Sequence, residues 1–413
     1  MKPIRIIIVG AGFGGIYTLK RMHQLFHKDN RVQITLVSEK NYFLFTPLLH
    51  EVATGGLNPQ NIVEPIRKIL GCCLHTFYLG KAMCFHLQDH FVETTDGIVP
   101  YDYLVLAPGA GTNFFGIPGA RENSFTLKSL EDAIRLKNHC ITLMERASHV
   151  ASQDVRQNML RFVIVGGGPT GVELAAELQE FLKQSFSGYY TPEIIADISI
   201  VLVQKATELI PQFPKLLREK SLEVLRKKGI KVLLGNVVTQ VKKEAVELAD
   251  GSTVPTETIV WVAGVQPANI PFVEPVARET DGRFRVNRNL QLENYSQVFV
   301  VGDAAGVKGE DGVTLPALAQ VAVQEAKMAA ENIKRQIDGQ TLKPFIYRHA
   351  GSLVSLGQWM AVGKILNLAL WGRFTWWIWR TVYLLKLVSW QKKVKVAVDW
   401  TINAFSPRDI SRL

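Results

Sequence analysis

Hydrophobic residues in this chain gather in short, β-branched runs that stop at glycine, and helical spacing takes over after the stop. Ile6, Ile7, Ile8 and Val9 predict one strand buried on both faces, and the residues to Leu19 predict a helix. Phe162 to Val165 repeats the strand pattern, and Val172 to Phe181 has helical composition. Further strands are predicted at ITLVSE, ending at Glu39, at Tyr103 to Leu106, at ISIVLVQK and at Val298 to Val301. Helices are predicted from about Ser129 to Ala147, from Pro214 to Lys228 and onward from Leu315. Pro47, Gly55, Gly56 and Pro59 predict a loop-rich connection, with a helix starting near Asn61 or Pro65. Asp96-Gly97 marks a turn between short strands. Alternating strands and helices predict an α/β fold.

The breaks carry the chemistry. Gly10, Gly12 and Gly15 spell G-x-G-x-x-G between strand and helix, and Gly166, Gly168 and Gly171 repeat it 156 residues on. In such a motif the first glycine makes the tight turn, the second admits a pyrophosphate, and the third packs helix on strand. The helix N-terminus then offers unpaired N–H groups to the phosphates. Glu39, 24 residues after Gly15, stands where an acid holds a ribose. Two such units a domain apart predict two dinucleotides whose reactive ends meet, the plan of a flavoprotein reduced by a nicotinamide. The second unit ends its next strand in Gln204 and Lys205 in place of an acid, which leaves NADPH tolerance open. Asp303, after Gly302 at a strand's end, is placed to bond a flavin's ribityl or pyrophosphate part. Gln320 and Gln324 share one helix face. Taken alone, they read more often as solvated polar positions than as ligands.

Composition narrows the class. Of 413 residues, 47% are hydrophobic and 20% charged, which indicates a globular chain of two or three domains. The net charge of +10 suits an anionic partner. No basic nucleic-acid motif accompanies it, so a membrane surface is the expected one. Cys72, Cys73, Cys84 and Cys140 show no C-x-x-C and no zinc spacing, and no metal is expected. No apolar run is long enough to span a bilayer. With the first strand starting at residue 4, no signal peptide is read. From Gly372 on, Trp376, Trp377, Trp379, Trp390 and Trp400 mix with Arg373, Arg380, Lys386, Lys392, Lys393, Lys395, Arg408 and Arg412 against Asp399 and Asp409. That mixture predicts an interfacial amphipathic segment, with a docked terminal helix or a dimer interface as the rival.

The motifs GAGFGG, FLFTPLLHEVATG, YDYLVLAPGAGTNFFGIPG, GGGPTGVELAAEL, WVAGV, VGDAA and AQVAVQ, with the Trp-rich end, make the chain resemble the type II NADH:quinone oxidoreductases. These are single-subunit, non-pumping NADH dehydrogenases, and the resemblance runs from end to end. It implies two Rossmann-like domains: a discontinuous FAD domain over 1–118 and 291–345, and an inserted NAD(P)H domain over 119–290. Residues 346–413 would form a helical membrane-anchoring and quinone-site region. Non-covalent FAD would be held by Gly10, Gly12, Phe13, Gly14, Gly15, Glu39, Lys40, Pro47, Ala82, Ala107, Gly109, Asp303 and Ala319. Gly166, Gly168, Pro169, Thr170, Gly171, Gln204, Lys205, Ala263 and Gly264 would receive NADH or NADPH. Glu173, Gln320 and Gln324 would serve the reaction beside the nicotinamide and the quinone. The implied partners are ubiquinone or menaquinone and an anionic lipid surface, at the cytoplasmic face of a bacterial inner membrane, and a homodimer stays open. The rival readings are a soluble NAD(P)H-dependent reductase and a slow redox-sensing protein. Disulfide and sulfide reductases need cysteines beside the flavin, and neither glycine-motif helix carries one.

Overall fold

The computed structural model describes residues 2–70, 75–366 and 368–412, so Cys72 and Cys73 lie outside the described residues. The chain forms two compact units. The first comprises residues 1–44, 63–111 and 265–349, and the second 45–62, 112–264 and 350–413.

In the first unit the apolar runs become a six-stranded sheet. Its order is Gln291–Leu292, Tyr295–Val300, Tyr103–Leu106, Ile4–Val9, Val32–Ser38 and His75–Leu79. All neighbours run parallel except the first pair. Ile6, Ile7 and Ile8 are all buried, as a strand covered on both faces requires. Helix Phe13–Phe26 packs against helix Ala319–Ile337, so the chain's return after residue 264 completes this unit. Residues 265–290 fall within this unit. Phe272 bridges Phe85, and the Phe85 N–H bonds the Pro271 carbonyl, 3.1 Å.

The second unit holds a four-stranded sheet in the order Lys231–Leu234, Ser199–Gln204, Arg161–Val165 and Thr258–Trp261, all parallel. Helix Pro169–Glu180 follows its central strand. Helix Leu130–Ala147 begins at a capping box in which Ser129 and Asp132 each bond the other's backbone N–H. The loop-rich stretch contains the short helix Leu49–Ala53, buried along its whole length. The C-terminal region carries two helices, as expected of a helical segment, together with a small sheet. It opens with antiparallel strands Ser352–Ser355, Ala361–Ile365 and Leu368–Gly372 before helices Arg373–Lys386 and Trp390–Phe405. Strands of four or five residues, set between Gly351, Gly357 and Gly372, give only a short stretch of two-residue period.

Two glycine cradles and a buried acid cluster

Both glycine motifs fold as their spacing requires. Gly10 has φ +102° and Gly166 φ +117°, and a Cβ on either would strike backbone, at Ala107 and Ala263 respectively. A Cβ on Gly15 would meet the Gly10 carbonyl, and one on Gly171 the Gly166 carbonyl. Gly12 and Gly168, by contrast, face open space within 4 Å. Each loop is therefore closed against its own sheet and open where a pyrophosphate would approach.

In the first unit the expected FAD residues gather at the carboxyl edge of the sheet. Glu39 and Lys40 follow strand Val32–Ser38, whose Val37 pairs with Val9, and Ala107 and Gly109 follow strand Tyr103–Leu106. Asp303 sits in the 3-10 turn Gly302–Ala304, next to the same edge. That turn is held from below by Glu325, fully buried, whose Oε2 accepts the Gly302 N–H at 2.6 Å. Burial pushes the Glu325 carboxyl up to about 8. Phe13 starts the first motif helix and packs edge-on against Phe43, Ala82 opens strand Ala82–His86, and Ala319 opens helix Ala319–Ile337. Pro47 belongs to the second unit, in the turn Thr46–Leu48.

Gln320 and Gln324 lie on the first two turns of helix Ala319–Ile337. The Gln324 amide clasps one peptide unit: Nε2 donates to the Arg348 carbonyl at 2.8 Å, and Oε1 accepts the Arg348 N–H at 3.0 Å. In the second unit Gln204 plays a comparable part. Its Oε1 accepts the Gly167 N–H at 2.8 Å and its Nε2 donates to the Glu208 carbonyl at 3.3 Å, while Lys205 is exposed beside it. Pro169 and Thr170 form the first turn of the second motif helix, and Ala263 and Gly264 follow strand Thr258–Trp261.

Glu173 lies in the interior of the second unit. It is 7% exposed, its Oε1 accepts the Ser355 N–H at 3.1 Å, and its Oε2 is 3.9 Å from His50 Nδ1. Burial, reinforced by the Glu177 and Glu51 carboxylates, pushes it up to about 8. Sequence reasoning missed its companions. Glu177 and Glu180 follow on the same helix face, and Arg408 reaches in from the chain's end, 2.5 Å from Glu177 and 3.5 Å from Glu180. Arg408 also donates to the Thr54 hydroxyl at 3.0 Å, Lys228 pairs with Glu180 at 2.5 Å, and Trp400 Nε1 donates to Glu51 at 2.5 Å. Burial opposes ionisation of Glu177, but Arg408 outweighs it and holds that carboxyl down. Burial holds His50 down to about 4, so its imidazole is neutral. Its Nε2 is buried without a hydrogen-bond partner. The signal was available: acids at i, i+4 and i+7 in an otherwise apolar helix are not a solvated pattern.

The tail divides its charges and rings between the interior and the surface. Arg408 is buried and ion-paired, and Arg380 stacks 3.8 Å over the Trp376 ring. Trp376, Trp379 and Trp400 are core, whereas Trp377 and Trp390 are exposed. Amphipathic helices divide their aromatics in this way, one face inward and the other out.

Residues 4–326 match the pyridine nucleotide-disulphide oxidoreductase family, and residues 349–409 match the NDH2 C-terminal domain. The chain belongs to the type II NADH:quinone oxidoreductases. It is 31% identical to the type II NADH:quinone oxidoreductase of Mycobacterium tuberculosis, over 98% of this chain and 89% of that one. It is 30% identical to the mitochondrial internal alternative NAD(P)H-ubiquinone oxidoreductase A1 of Arabidopsis thaliana, over 100% of this chain and 86% of that one. The Plasmodium falciparum NDH2 structure in complex with NADH has the same fold, with a TM-score of 0.92, 21% identity, and coverage of 99% and 100% of the two chains. The soluble-reductase and sensor readings are not favoured. For a type II enzyme, the buried acid cluster is the feature that the glycine motifs alone did not announce.

Proposed function

We propose that this type II NADH:quinone oxidoreductase works from a lipid surface, with Glu173 holding the proton that a reduced quinone needs. The observation that carries this reading is the buried, proton-retaining Glu173 on the second motif helix, beneath the C-terminal strand Ser352–Ser355. Bound FAD would supply the redox chemistry that links NADH oxidation to quinone reduction. The open sides of Gly12 and Gly109 fit such a group. Gly10 to Gly15, Glu39, Lys40, Pro47, Ala82, Ala107, Gly109, Asp303 and Ala319 would hold it. Gly166 to Gly171, Gln204, Lys205, Ala263 and Gly264 would receive the nicotinamide nucleotide. At neutral pH Glu173 is protonated and uncharged, whereas Glu177 is ionised and neutralised by Arg408. A quinone oxygen gaining electrons needs a proton, and a carboxyl with a pKa near the working pH can give one and recover it.

The acceptor is a membrane quinone, ubiquinone or menaquinone, and Gln320 and Gln324 border its pocket. The protein is peripheral, at the cytoplasmic face of a bacterial inner membrane. Among the described residues, no helix is long and apolar enough to cross a membrane. Helix Trp390–Phe405 exposes Trp390, Val394, Val398, Ile402 and Phe405, an apolar stripe at helical spacing, and helix Arg373–Lys386 exposes Phe374, Trp377 and Leu385. Lys393 and Lys395 flank the stripe, and each cation near an anionic surface adds about 1 kcal/mol. Replacing Trp390 and Phe405 by Ser should release the folded enzyme from anionic vesicles. Undiminished binding overturns the lipid reading.

The central experiment is an anaerobic titration with NADH followed by quinone. Gln320→Ala with Gln324→Ala should slow reoxidation of the flavin by quinone and leave its bleaching by NADH unchanged. Equal loss in both half-reactions would place these residues in the fold rather than in the quinone pocket.

A further inference from the structure

A group of three potential metal ligands lies outside the dinucleotide chemistry, on the small antiparallel sheet Ala82–His86, Phe91–Thr94 and Gly97–Pro100 of the first unit. The register sets Cys84 opposite Glu93, Phe85 opposite Val92 and His86 opposite Phe91. Phe85 and Val92 are fully buried, so the alternation turns Cys84, His86 and Glu93 together to the other face. That face is half open: the His86 side chain is 17% exposed and that of Glu93 46%. His86 Nε2 and Glu93 Oε1 are 3.0 Å apart, and the Cys84 sulfur completes a set whose ligand atoms all lie within 4.8 Å of one another. The imidazole plane is fixed by stacking on Phe91, 4.0 Å between centroids at 20°. Among the described residues this is the one such group.

We infer that Cys84, His86 and Glu93 form a binding site for a zinc-class divalent cation, with water as the fourth ligand. A tetrahedral ion with bonds of about 2.0–2.3 Å sets its ligand atoms roughly 3.3–3.8 Å apart. Side-chain rotations of about 1 Å on a rigid hairpin reach that spacing from the present arrangement. One sulfur, one nitrogen and one oxygen favour zinc, cobalt(II) or cadmium over the hard, all-oxygen cations magnesium and calcium. Without the ion, His86 and Glu93 form a cross-strand hydrogen-bonded pair. With it, the ion ties Ala82–His86 to the central strand of the small sheet.

The test is cobalt(II) titration of the flavin-loaded enzyme, read in the red d–d bands of tetrahedral cobalt, with zinc added afterwards. The expected result is one cobalt per chain, with bands that zinc abolishes. The Cys72→Ser/Cys73→Ser double variant should bind unchanged. Cys84→Ser and His86→Ala should bind at least about tenfold more weakly, and Glu93→Gln should weaken binding to a lesser degree. Retained flavin and unchanged oxidation of NADH by quinone show that each variant is folded. Bands that survive Cys84→Ser, bands lost in the Cys72/Cys73 variant, or no tetrahedral bands at all would each overturn the assignment.

Discussion

The two glycine-motif helices start from the same local geometry and end in opposite environments. Positions 156 residues apart correspond: Tyr17 to Glu173, Arg21 to Glu177, Gln24 to Glu180. On the first helix Tyr17 and Arg21 are half-buried and Gln24 is exposed, and Arg21 meets Glu331 in a bridge whose side chains stay about a third exposed. On the second helix every residue from Gly171 to Glu180 is buried. Helix Leu49–Ala53, strand Ser352–Ser355 and Arg408 pack over the face that on the first helix stays only half-buried or exposed. A motif that binds a dinucleotide therefore fixes the loop and the first helical turn, and leaves the outer face free to acquire chemistry once other segments cover it.

The largest effects test what the copies share. Gly15→Ala and Gly171→Ala both push a methyl into a carbonyl of their own loop, and each should cost about 3 kcal/mol or more locally. If the cradles divide as proposed, Gly15→Ala yields protein depleted of flavin. Gly171→Ala should keep its flavin and lose reduction by NADH. Flavin absorbance and anaerobic bleaching read the two outcomes, and loss of flavin from both variants would collapse the distinction.

The next test addresses what separates the copies. Arg408→Met removes the cation from a buried pair and leaves Glu177 and Glu180 facing each other, at a cost of about 3–5 kcal/mol. Arg21→Met breaks only the partly exposed bridge, worth about 1 kcal/mol or less. Urea midpoints measure both. Adding Glu177→Gln to Arg408→Met should restore part of the loss, because it removes the stranded charge.

Glu173→Gln should be milder for stability and sharper for chemistry. A carboxyl raised from 4.5 to about 8 binds its proton more tightly in the folded state. Its contribution to stability is full below pH 4.5 and fades as pH climbs to about 8. Quinone reduction should likewise slow as pH passes 8, by up to about tenfold per unit. Glu173→Gln should show a slower rate with that alkaline fall removed, and hydride uptake from NADH should be unaffected. A variant that keeps the wild-type pH profile would exclude Glu173 as the proton source.

Much of the scaffold was legible because it is local. Strand Tyr103–Leu106, the glycine turns and the helix from Leu130 follow from spacing and capping within one segment. The acid cluster was legible only in part: Glu173, Glu177 and Glu180 share one helix face, but Glu51 and Arg408 arrive from distant segments, and no sequence window contains them all. Arg408 had looked like one more surface cation in a basic tail. Cys84, His86 and Glu93 stayed hidden for a similar reason: they converge only once Phe85 and Val92 fix the register of a hairpin. In the tail, helical periodicity distinguishes the exposed stripe from Trp390 to Phe405 from the buried Val396 and Trp400, a division that reading all its rings and cations together as one interfacial segment passes over.

The smallest expected effect concerns the strand end beside each cradle, where the first copy presents Glu39 and the second Gln204. Gln204 spends its carbonyl oxygen on the Gly167 N–H, so it braces the loop whichever nucleotide binds, and it carries no charge to repel a 2′-phosphate. Lys205, exposed next to it, would favour one. Wild-type enzyme should therefore use NADPH with a kcat/KM within about a thousandfold of that for NADH, some 4 kcal/mol. Gln204→Glu keeps an oxygen for Gly167 and makes the second copy like the first. It should lower kcat/KM for NADPH by about tenfold, near 1.4 kcal/mol, and leave that for NADH almost unchanged. An equal fall for both nucleotides would mean that the brace, and not the charge, is what position 204 contributes.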